Sequence, residues 1–273
     1  MNILRLVRPT YSMLKTEIRT KLLSNNNILN TNKKELKETD IFVASYPRSG
    51  NTWTRLLLSD VMLQVLGFET DVKLPIVLGK ISPDNTIDLI SEIDPKVLEL
   101  PFRLIKTHER YDGIRGYKAI HIFRNPADSL TSEFQLKKRK NPEYLADFYS
   151  DPDVFCRFHV SVWSTYMKTY IEAKEKNPER LMFVSYETLH EKPVEAVKKM
   201  TEFMGLDATM QMCANAVEHH RIEKKQELAG NSQFFRKGKV GSAREELPGE
   251  TVDYIESKGM GMYDRAKQLE AMI

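Results

Sequence analysis

The sequence predicts a single α/β domain in which helices flank a central, mainly parallel sheet. Three observations favour this class. Short apolar runs rich in β-branched residues alternate with helical stretches, which is typical of parallel sheets covered on both faces. The 273 residues suffice for one large domain or two small ones, and no second boundary interrupts the alternation. A polar loop with a glycine follows the first run, at the position where such folds have a phosphate-binding loop.

Four segments are predicted as strands because they are short, apolar and rich in β-branched or aromatic residues. They are residues 41–45, 103–107, 117–124 and 181–185. After the first strand and its loop, Trp53, Leu57 and Val61 recur at helical spacing. The domain therefore begins as strand, loop and helix.

Further helices are predicted from apolar periodicity and from residues that begin or end them. Residues 153–175 carry a stripe with i, i+3, i+4 and i+7 spacing, so the stripe is assigned to the core. Pro126 starts a helix that places Ser132 about two turns in. Pro193 starts another helix, which Gly205 ends. The stripe consists of Phe155, Phe158, His159, Val162, Trp163, Tyr166, Met167, Tyr170 and Ile171.

Residues 1–39 are predicted to form a helical arm and a linker ahead of a domain that spans residues 40–273. The arm, residues 1–23, is basic but lacks the continuous apolar stretch of a secretory signal. It packs on its own domain in one interpretation and makes a peripheral contact with a membrane or a partner in the other. The polar stretch 24–40 is interpreted as the linker.

Composition excludes several classes of protein. With 41% hydrophobic and 29% charged residues, the chain is not a disordered one. A net charge of +3 gives no reason to expect a nucleic-acid partner. The longest apolar run, residues 53–66, contains Arg55 and Asp60, so no transmembrane span is expected. The two cysteines are far apart, which favours a reducing, cytoplasmic location without disulfides.

The loop at residues 46–53, YPRSGNTW, has the composition of an anion-binding turn. Gly50 permits a tight turn of backbone N–H groups, and Arg48 adds a fixed charge. No lysine follows Gly50 as in a Walker A loop, and no carboxylate for Mg²⁺ is evident nearby, so protein charge without a metal is expected to hold the anion. The alternative is an ordinary turn with an N-cap serine. The side-chain donors predicted for the loop are Ser49, Asn51 and Thr52.

Five segments resemble, in chain order, those of the PAPS-dependent sulfotransferases, where PAPS is 3′-phosphoadenosine 5′-phosphosulfate. The resemblance covers about residues 40–245 and implies a P-loop-like fold. It also implies transfer of the sulfuryl group from PAPS to a hydroxyl or amine of a small-molecule acceptor, with release of PAP. The segments are YPRSGNTW at 46–53, RLIKTH at 103–108, RNPAD at 124–128 with Ser132, SYE at 185–187 and FRKG at 235–238 with Gly241.

Three catalytic residues are implied by the resemblance. His108 would take the acceptor proton, since a histidine with a pKa of about 6.5 can do so at neutral pH. Lys106 and Arg48 would stabilise negative charge on the leaving oxygen. Lys106 and His108 are two positions apart on a strand, so their side chains project from one face. Taken alone, each is also compatible with a solvated strand end or loop.

A nucleotide site is implied as well. Arg124 and Ser132 would hold the 3′-phosphate, and Tyr186 and Trp53 would offer flat apolar surface to the adenine. Trp53 is equally compatible with a place in the core, and the late basic loop with an ordinary surface loop. The implied nucleotide-binding residues are Arg48, Ser49, Gly50, Asn51, Thr52, Trp53, Arg124, Ser132, Tyr186, Phe235, Arg236, Lys237 and Gly238.

The chain departs from the family pattern at two places. Cytosolic members usually have lysine at the position of Arg48, whereas several carbohydrate-directed members have arginine. Residues 241–244 read GSAR where the family usually continues GDWK. These departures leave two alternatives, which are sulfation of a carbohydrate or lipid headgroup, and a PAP-binding relative without catalysis.

Two further patterns concern assembly and metal binding. Thr251, Val252 and Glu256 are similar to the family's dimerisation motif without its leading lysine, which leaves a homodimer open. His219 and His220 are adjacent and should diverge by about 100° on a helix, so no histidine ligand set is expected.

Overall fold

A parallel sheet forms the centre of the fold in a computed structural model that describes residues 26–70, 74–140, 142, 151–221 and 239–271. The strands are β1 (Ile41–Ser45), β2 (Leu104–Thr107), β3 (Lys118–Phe123) and β4 (Leu181–Ser185). Within the described residues these four strands pair in the order β2-β1-β3-β4, always in parallel. The predicted fold class is confirmed, and each predicted strand agrees to within one residue at either end.

The strands are almost entirely buried on both faces, which explains their mainly apolar composition. All five residues of β1 and all five of β4 are buried. The chain leaves β1 for β2 on one side and then returns to β3 on the other side. A reversal of this kind opens a crevice at the carboxyl ends of the strands, where α/β proteins bind their ligands.

Helices connect the strands and cover the sheet. They are α1 (26–35), α2 (Asn51–Val65), α3 (Leu74–Ile81), α4 (Pro126–Lys140), α5 (Pro152–Lys176), α6 (Tyr186–Glu191), α7 (Pro193–Met204), α8 (Met210–His219) and α9 (Gly249–Ala271). Pro193 starts α7 and Gly205 ends it, as predicted. Asp151 caps α5 by accepting a hydrogen bond from the N–H of Asp153.

The stretch 24–40, predicted as a linker, is helical over α1 and packs against the domain. Asn32 is 1% exposed, and its amide donates to the carbonyls of Asn85 and Asp88 at 2.9 and 2.8 Å. The apolar residues four positions before and after it are partly buried. One face of α1 packs on the domain, but its most buried position is occupied by the polar residue Asn32. The composition of the segment therefore indicates a linker although the segment is a packed helix.

The stripe predicted as core in α5 is too wide to be buried throughout. Phe158 and Val162 are 56% and 41% exposed, whereas Trp163 and Tyr170 are fully buried. At about 100° per residue the nine positions span more than half of the helix circumference, and Phe158 and Val162 lie at one edge of that arc. His159 is buried as predicted, and its Nδ1 lies 2.8 Å from the Phe155 carbonyl.

The residues that resemble a dimerisation motif contact their own chain. Thr251 and Val252 are buried, and the Thr251 hydroxyl donates to Asp153 of α5. Glu256 forms an ion pair with Arg244 at 2.7 Å. They help to pack α9 on the domain. Among the helices of the described residues, none is both long enough and apolar enough to span a membrane.

Candidate active site

Residues at the carboxyl ends of all four strands line one cavity of about 470 Å³. β1 leads into the loop before α2, β2 carries Lys106, β3 is followed by Arg124, and β4 by Tyr186. The sequence-predicted residues that line this cavity are Arg48, Gly50, Asn51, Thr52, Trp53, Lys106, His108, Arg124, Ser132 and Tyr186. The predicted residues Phe235, Arg236, Lys237 and Gly238 lie outside the described residues.

The loop after β1 presents the amino terminus of α2 to the cavity. Gly50 precedes the helix with φ 104°, and no side chain of the described residues caps it. The first N–H groups of α2 therefore remain available to an anion. A Cβ on Gly50 would lie 2.8 Å from Cδ2 of Tyr186. Only glycine allows both this backbone conformation and this close approach of the aromatic ring.

Replacing Gly50 by alanine is expected to lower the free energy of unfolding by about 2–3 kcal/mol, measured by urea denaturation. The left-handed backbone alone costs an alanine about 1 kcal/mol, and Tyr186 must also move. Gly67→Ala is the matched control, because Gly67 has φ 80° but no described atom within 4 Å of the added Cβ. Equal losses in the two variants would show that the contact with Tyr186 does not select glycine.

Two loop side chains predicted as anion donors are engaged elsewhere. Ser49 is fully buried, and its hydroxyl lies 3.4 Å from that of Ser129 in α4. The amide of Asn51 donates to the carbonyl of Val43 and to the hydroxyl of Ser45, at 2.9 and 3.1 Å. These contacts attach the loop to β1 and α4, so the two side chains shape the loop rather than face an anion.

Arg48 is held in an uncommon backbone conformation by contacts from two other segments. Its φ is 66°, in the left-handed region. Its Nε donates to the hydroxyl of Ser132 at 3.1 Å, and its carbonyl lies 3.4 Å from Nη1 of Arg124. The loop after β1 therefore lies against Arg124 and Ser132.

Arg124 is a nearly buried cation, 7% exposed, at the end of β3. Nη2 donates to the Lys239 carbonyl at 2.7 Å and lies 3.5 Å from the Asp128 carboxylate. The guanidinium carbon lies 4.4 Å from the centre of the Tyr186 ring. Its Nε is buried and has no hydrogen-bond partner among the described residues. An unsatisfied cationic donor that lines a cavity is well suited to an anion.

His108 is oriented by a backbone carbonyl. Its Nδ1 lies 2.7 Å from the carbonyl oxygen of Ser45. Because a carbonyl oxygen can only accept a hydrogen bond, Nδ1 carries the proton and donates it. The lone pair is then on Nε2. Burial of the ring, together with the nearby charge of Lys106, lowers the pKa of His108 to about 4. His108 is therefore neutral at physiological pH and can accept a proton.

Two carboxylates that the sequence analysis missed, Asp84 and Asp88, also line the cavity. Asp84 forms an ion pair with Lys106, which corrects the expectation that no carboxylate lies nearby. Arg55 of α2 is buried beside them, and its Nε donates to the Ser82 hydroxyl at 3.2 Å. Burial lowers the pKa of Arg55 to about 10, so it remains a cation at neutral pH.

Comparison with known proteins identifies the family. A family model described as "Sulfotransferase domain" matches residues 38–258. The chain belongs to the sulfotransferase family. It is 31% identical to cytosolic sulfotransferase 16 of Arabidopsis thaliana over 245 residues, which cover 76% of this chain and 71% of that protein. It is 25% identical to flavonol 3-sulfotransferase of Flaveria bidentis over 253 residues, 80% of this chain and 79% of that one.

The sulfotransferase fold is also found among solved structures. Mouse sulfotransferase SULT7A1, solved in complex with PAP, is similar to this chain with a TM-score of 0.63 and 21% identity. The match covers 91% of this chain and 94% of that one. The two proteins therefore share the arrangement of sheet and helices.

In this sulfotransferase, Trp53 is 8% exposed and yet lines the cavity, so its core and site interpretations are compatible. Its Nε1 donates to the carbonyl of His220 at 3.0 Å. Its ring meets that of Tyr186 edge to face, with centroids 6.0 Å apart. The indole is therefore fixed at both its polar and its apolar edge.

The sulfotransferase also contains a pair of histidines that converge, contrary to the expectation from sequence. Nδ1 of His219 and Nε2 of His220 lie 3.0 and 2.8 Å from one oxygen of Asp60. The expected divergence applies within a helix, but α8 ends at His219 and His220 lies beyond it. Burial alone would raise the pKa of Asp60, but hydrogen bonds from both histidines and Thr70 bring it below its ordinary value.

This cluster has a structural role at the wall of the cavity that contains Trp53. In the part of the chain that the structure describes, no group of three His, Cys, Asp or Glu residues could hold a metal ion. Asp60 instead fixes His220, whose carbonyl accepts the hydrogen bond from Trp53. The contact links the end of α8 to the wall of the cavity.

Proposed function

We propose that this sulfotransferase transfers the sulfuryl group of PAPS to a hydroxyl or amine of a small-molecule acceptor and releases PAP. The observation that carries the proposal is the orientation of His108. Its Nδ1 donates to the Ser45 carbonyl, so the basic Nε2 is available in a cavity that Lys106 and Arg48 also line. A base beside two cations suits the attack of a neutral nucleophile on an anionic donor.

In the proposed reaction the acceptor oxygen or nitrogen attacks sulfur in line with the bond to the bridging oxygen. The new bond to sulfur forms as the old one breaks, and the bridging oxygen leaves on PAP with the electron pair. The acceptor proton passes to Nε2 of His108. Lys106 and Arg48 stabilise the negative charge that develops on the leaving oxygen, an interaction that is stronger in the transition state than in the ground state.

The other side of the cavity fits a nucleotide with two phosphate positions. The buried Nε of Arg124 has no partner among the described residues, and the amino terminus of α2 lacks a side-chain cap there. Phosphate oxygens satisfy donors of both kinds. The ring of Tyr186, packed against the Arg124 guanidinium and beside Trp53, offers aromatic surface for the adenine.

Two of the similar proteins support this choice of substrates. Flavonol 3-sulfotransferase is named for a small aromatic alcohol, and SULT7A1 was solved with PAP bound. A cavity that combines cations with aromatic and aliphatic side chains suits an anionic nucleotide and a small apolar acceptor.

The acid limb of the activity profile is expected to lie at low pH. Since burial and Lys106 lower the pKa of His108 to about 4, the free enzyme keeps its base neutral until the pH approaches that value. Below it, the protonated ring cannot accept the acceptor proton. We expect kcat/KM for the acceptor to stay constant from pH 7 down to about 5 and to fall towards pH 4. Circular dichroism at each pH separates this loss from acid unfolding, and an acid limb near pH 6.5 would contradict the lowered pKa of His108.

Turnover of radiolabelled PAPS with a panel of acceptors tests the proposed function. The panel contains phenols, flavonols, sterols and amines, with saccharides and glycolipids as competing classes, in buffer with EDTA. We expect a labelled sulfate ester or sulfamate of at least one small molecule, formed at the same rate with and without EDTA. If only saccharides or glycolipids were sulfated, the acceptor would be a carbohydrate or a lipid headgroup instead of a small molecule. Tight binding of PAP without any turnover would overturn the proposal in favour of a relative that binds the nucleotide without catalysis.

A further inference from the structure

The carboxylate of Asp84 meets the ammonium of Lys106 where β2 ends. Both side chains are nearly buried, at 8% exposure for Asp84 and 13% for Lys106. Their backbones are also paired, because the N–H of Lys106 donates to the Pro83 carbonyl at 2.8 Å and its carbonyl accepts from the N–H of Asn85 at 3.1 Å. The ion pair therefore lies between two adjacent extended segments with fixed backbones.

The Asp84 carboxylate is itself oriented by its neighbours. One oxygen accepts hydrogen bonds from the N–H and the hydroxyl of Thr86, at 3.1 and 2.8 Å, and the other contacts Lys106. The N–H of Asp84 donates to the carboxylate of Asp88 at 2.8 Å. That carboxylate packs on Gly79, where a Cβ would lie 3.0 Å from it. A flexible lysine stem thus meets an acceptor that has little freedom of its own.

We propose that Asp84 is the positioning residue for Lys106 in sulfuryl transfer, an inference that rests on the proposed function. Asp84 orders the ammonium at the cavity wall before the substrates bind. A charge that is already in place stabilises a developing negative charge without reorganisation at the moment of reaction. Asp84 itself does not contact the reacting atoms in this role.

The charge state of Asp84 agrees with this role. Burial alone would raise its pKa, but Lys106 and the hydrogen bonds from Thr86 bring the pKa below its ordinary value. Asp84 is therefore ionised throughout the range in which the enzyme would work.

Asp84→Asn tests the proposal, because asparagine keeps the size of the side chain and can still accept from Thr86 but lacks the charge. In single-turnover assays with enzyme in excess over labelled PAPS, we expect the rate to fall about 10- to 30-fold. The Kd for PAPS, measured without an acceptor, should change less than about threefold, since the bridging oxygen that Lys106 faces carries little negative charge before the transition state. In a Lys106→Gln background, Asp84→Asn should change the rate by less than about twofold.

The control is Glu92→Gln, which removes an ion pair with Lys80 whose side chains are 55% and 54% exposed. It should leave the rate unchanged. The inference is overturned if Asp84→Asn keeps the wild-type rate, if it weakens PAPS as much as it slows turnover, or if it slows the Lys106→Gln enzyme equally. Absence of turnover in the wild-type protein would instead overturn the proposed function. If the Asp84→Asn protein were simply unfolded, its Tm would be lower and it would no longer bind PAP.

Discussion

Replacing His108 by alanine lowers turnover by about 100-fold or more while PAP binds with nearly unchanged affinity. The effect is expected to be large because Nε2 is the base of the proposed reaction and Nδ1 is engaged by the Ser45 carbonyl at 2.7 Å. PAP affinity is spared because the proposed phosphate contacts come from the loop after β1 and from Arg124. Single-turnover rates and calorimetric titration with PAP measure the two quantities.

His108→Asn is the matched variant for this experiment. Its amide can still donate to the Ser45 carbonyl, but it cannot take up a proton at neutral pH. Both variants should therefore lose turnover to a similar extent. An asparagine variant with wild-type turnover would show that His108 only supports the strand end and is not the base.

Replacing Arg124 by alanine weakens PAP by about 100-fold or more, because a buried charge-assisted contact to a phosphate is lost. Adenosine 5′-monophosphate, which lacks the 3′-phosphate, should lose much less affinity. The fold should tolerate the change, since Asp128 keeps hydrogen bonds from the N–H groups of Gly241 and Ala243 at 2.7 and 2.8 Å. Calorimetry with the two nucleotides measures the difference.

Arg115→Ala is the control for Arg124, because its side chain is 75% exposed and pairs only with the exposed Asp112 among the described residues. It should leave both affinities unchanged. Equal losses of PAP and adenosine 5′-monophosphate in the Arg124 variant would point to a general disturbance of the cavity. That result would remove Arg124 from the role of 3′-phosphate ligand.

Much of the fold is predictable because its signals are local. The strands are almost entirely buried on both faces, so they appear in the sequence as mainly apolar runs. Each observed strand end lies within one residue of the predicted end. The cations Arg48, Lys106 and Arg124 lie next to those runs. Once a parallel sheet is predicted, its carboxyl ends bring them to one edge, where the structure has the cavity.

The features that were missed depend on tertiary contacts. Asp84 pairs with Lys106 through a bridge between segments 22 positions apart, and the local pattern around Asp84 indicates only a turn with Thr86. Asn32 is a polar residue in a buried position because two distant carbonyls accept its amide hydrogens. The spacing of apolar residues does not reveal hydrogen bonds to a buried polar side chain. The polar composition of α1 therefore indicates a linker.

The exposed residues of α5 illustrate a different difficulty. Spacing alone identifies which residues share a broad face, but the neighbours decide how much of that face is covered. Trp163 lies at the middle of the arc and is fully buried, whereas Phe158 lies at its edge and is 56% exposed. The width of the buried arc depends on the elements that pack against the helix, and the sequence of the helix alone does not determine it.

The left-handed backbone of Arg48, with φ 66°, has a thermodynamic consequence for the arrival of the nucleotide. A conformation of this kind costs a non-glycine residue about 1 kcal/mol, and here contacts with Ser132 and Arg124 of the same chain hold it. The cost is met when the protein folds, so ordering of this loop subtracts nothing from the affinity for phosphate. The loop after β1 would then be preorganised for the proposed phosphate, because its shape is a product of folding rather than of binding.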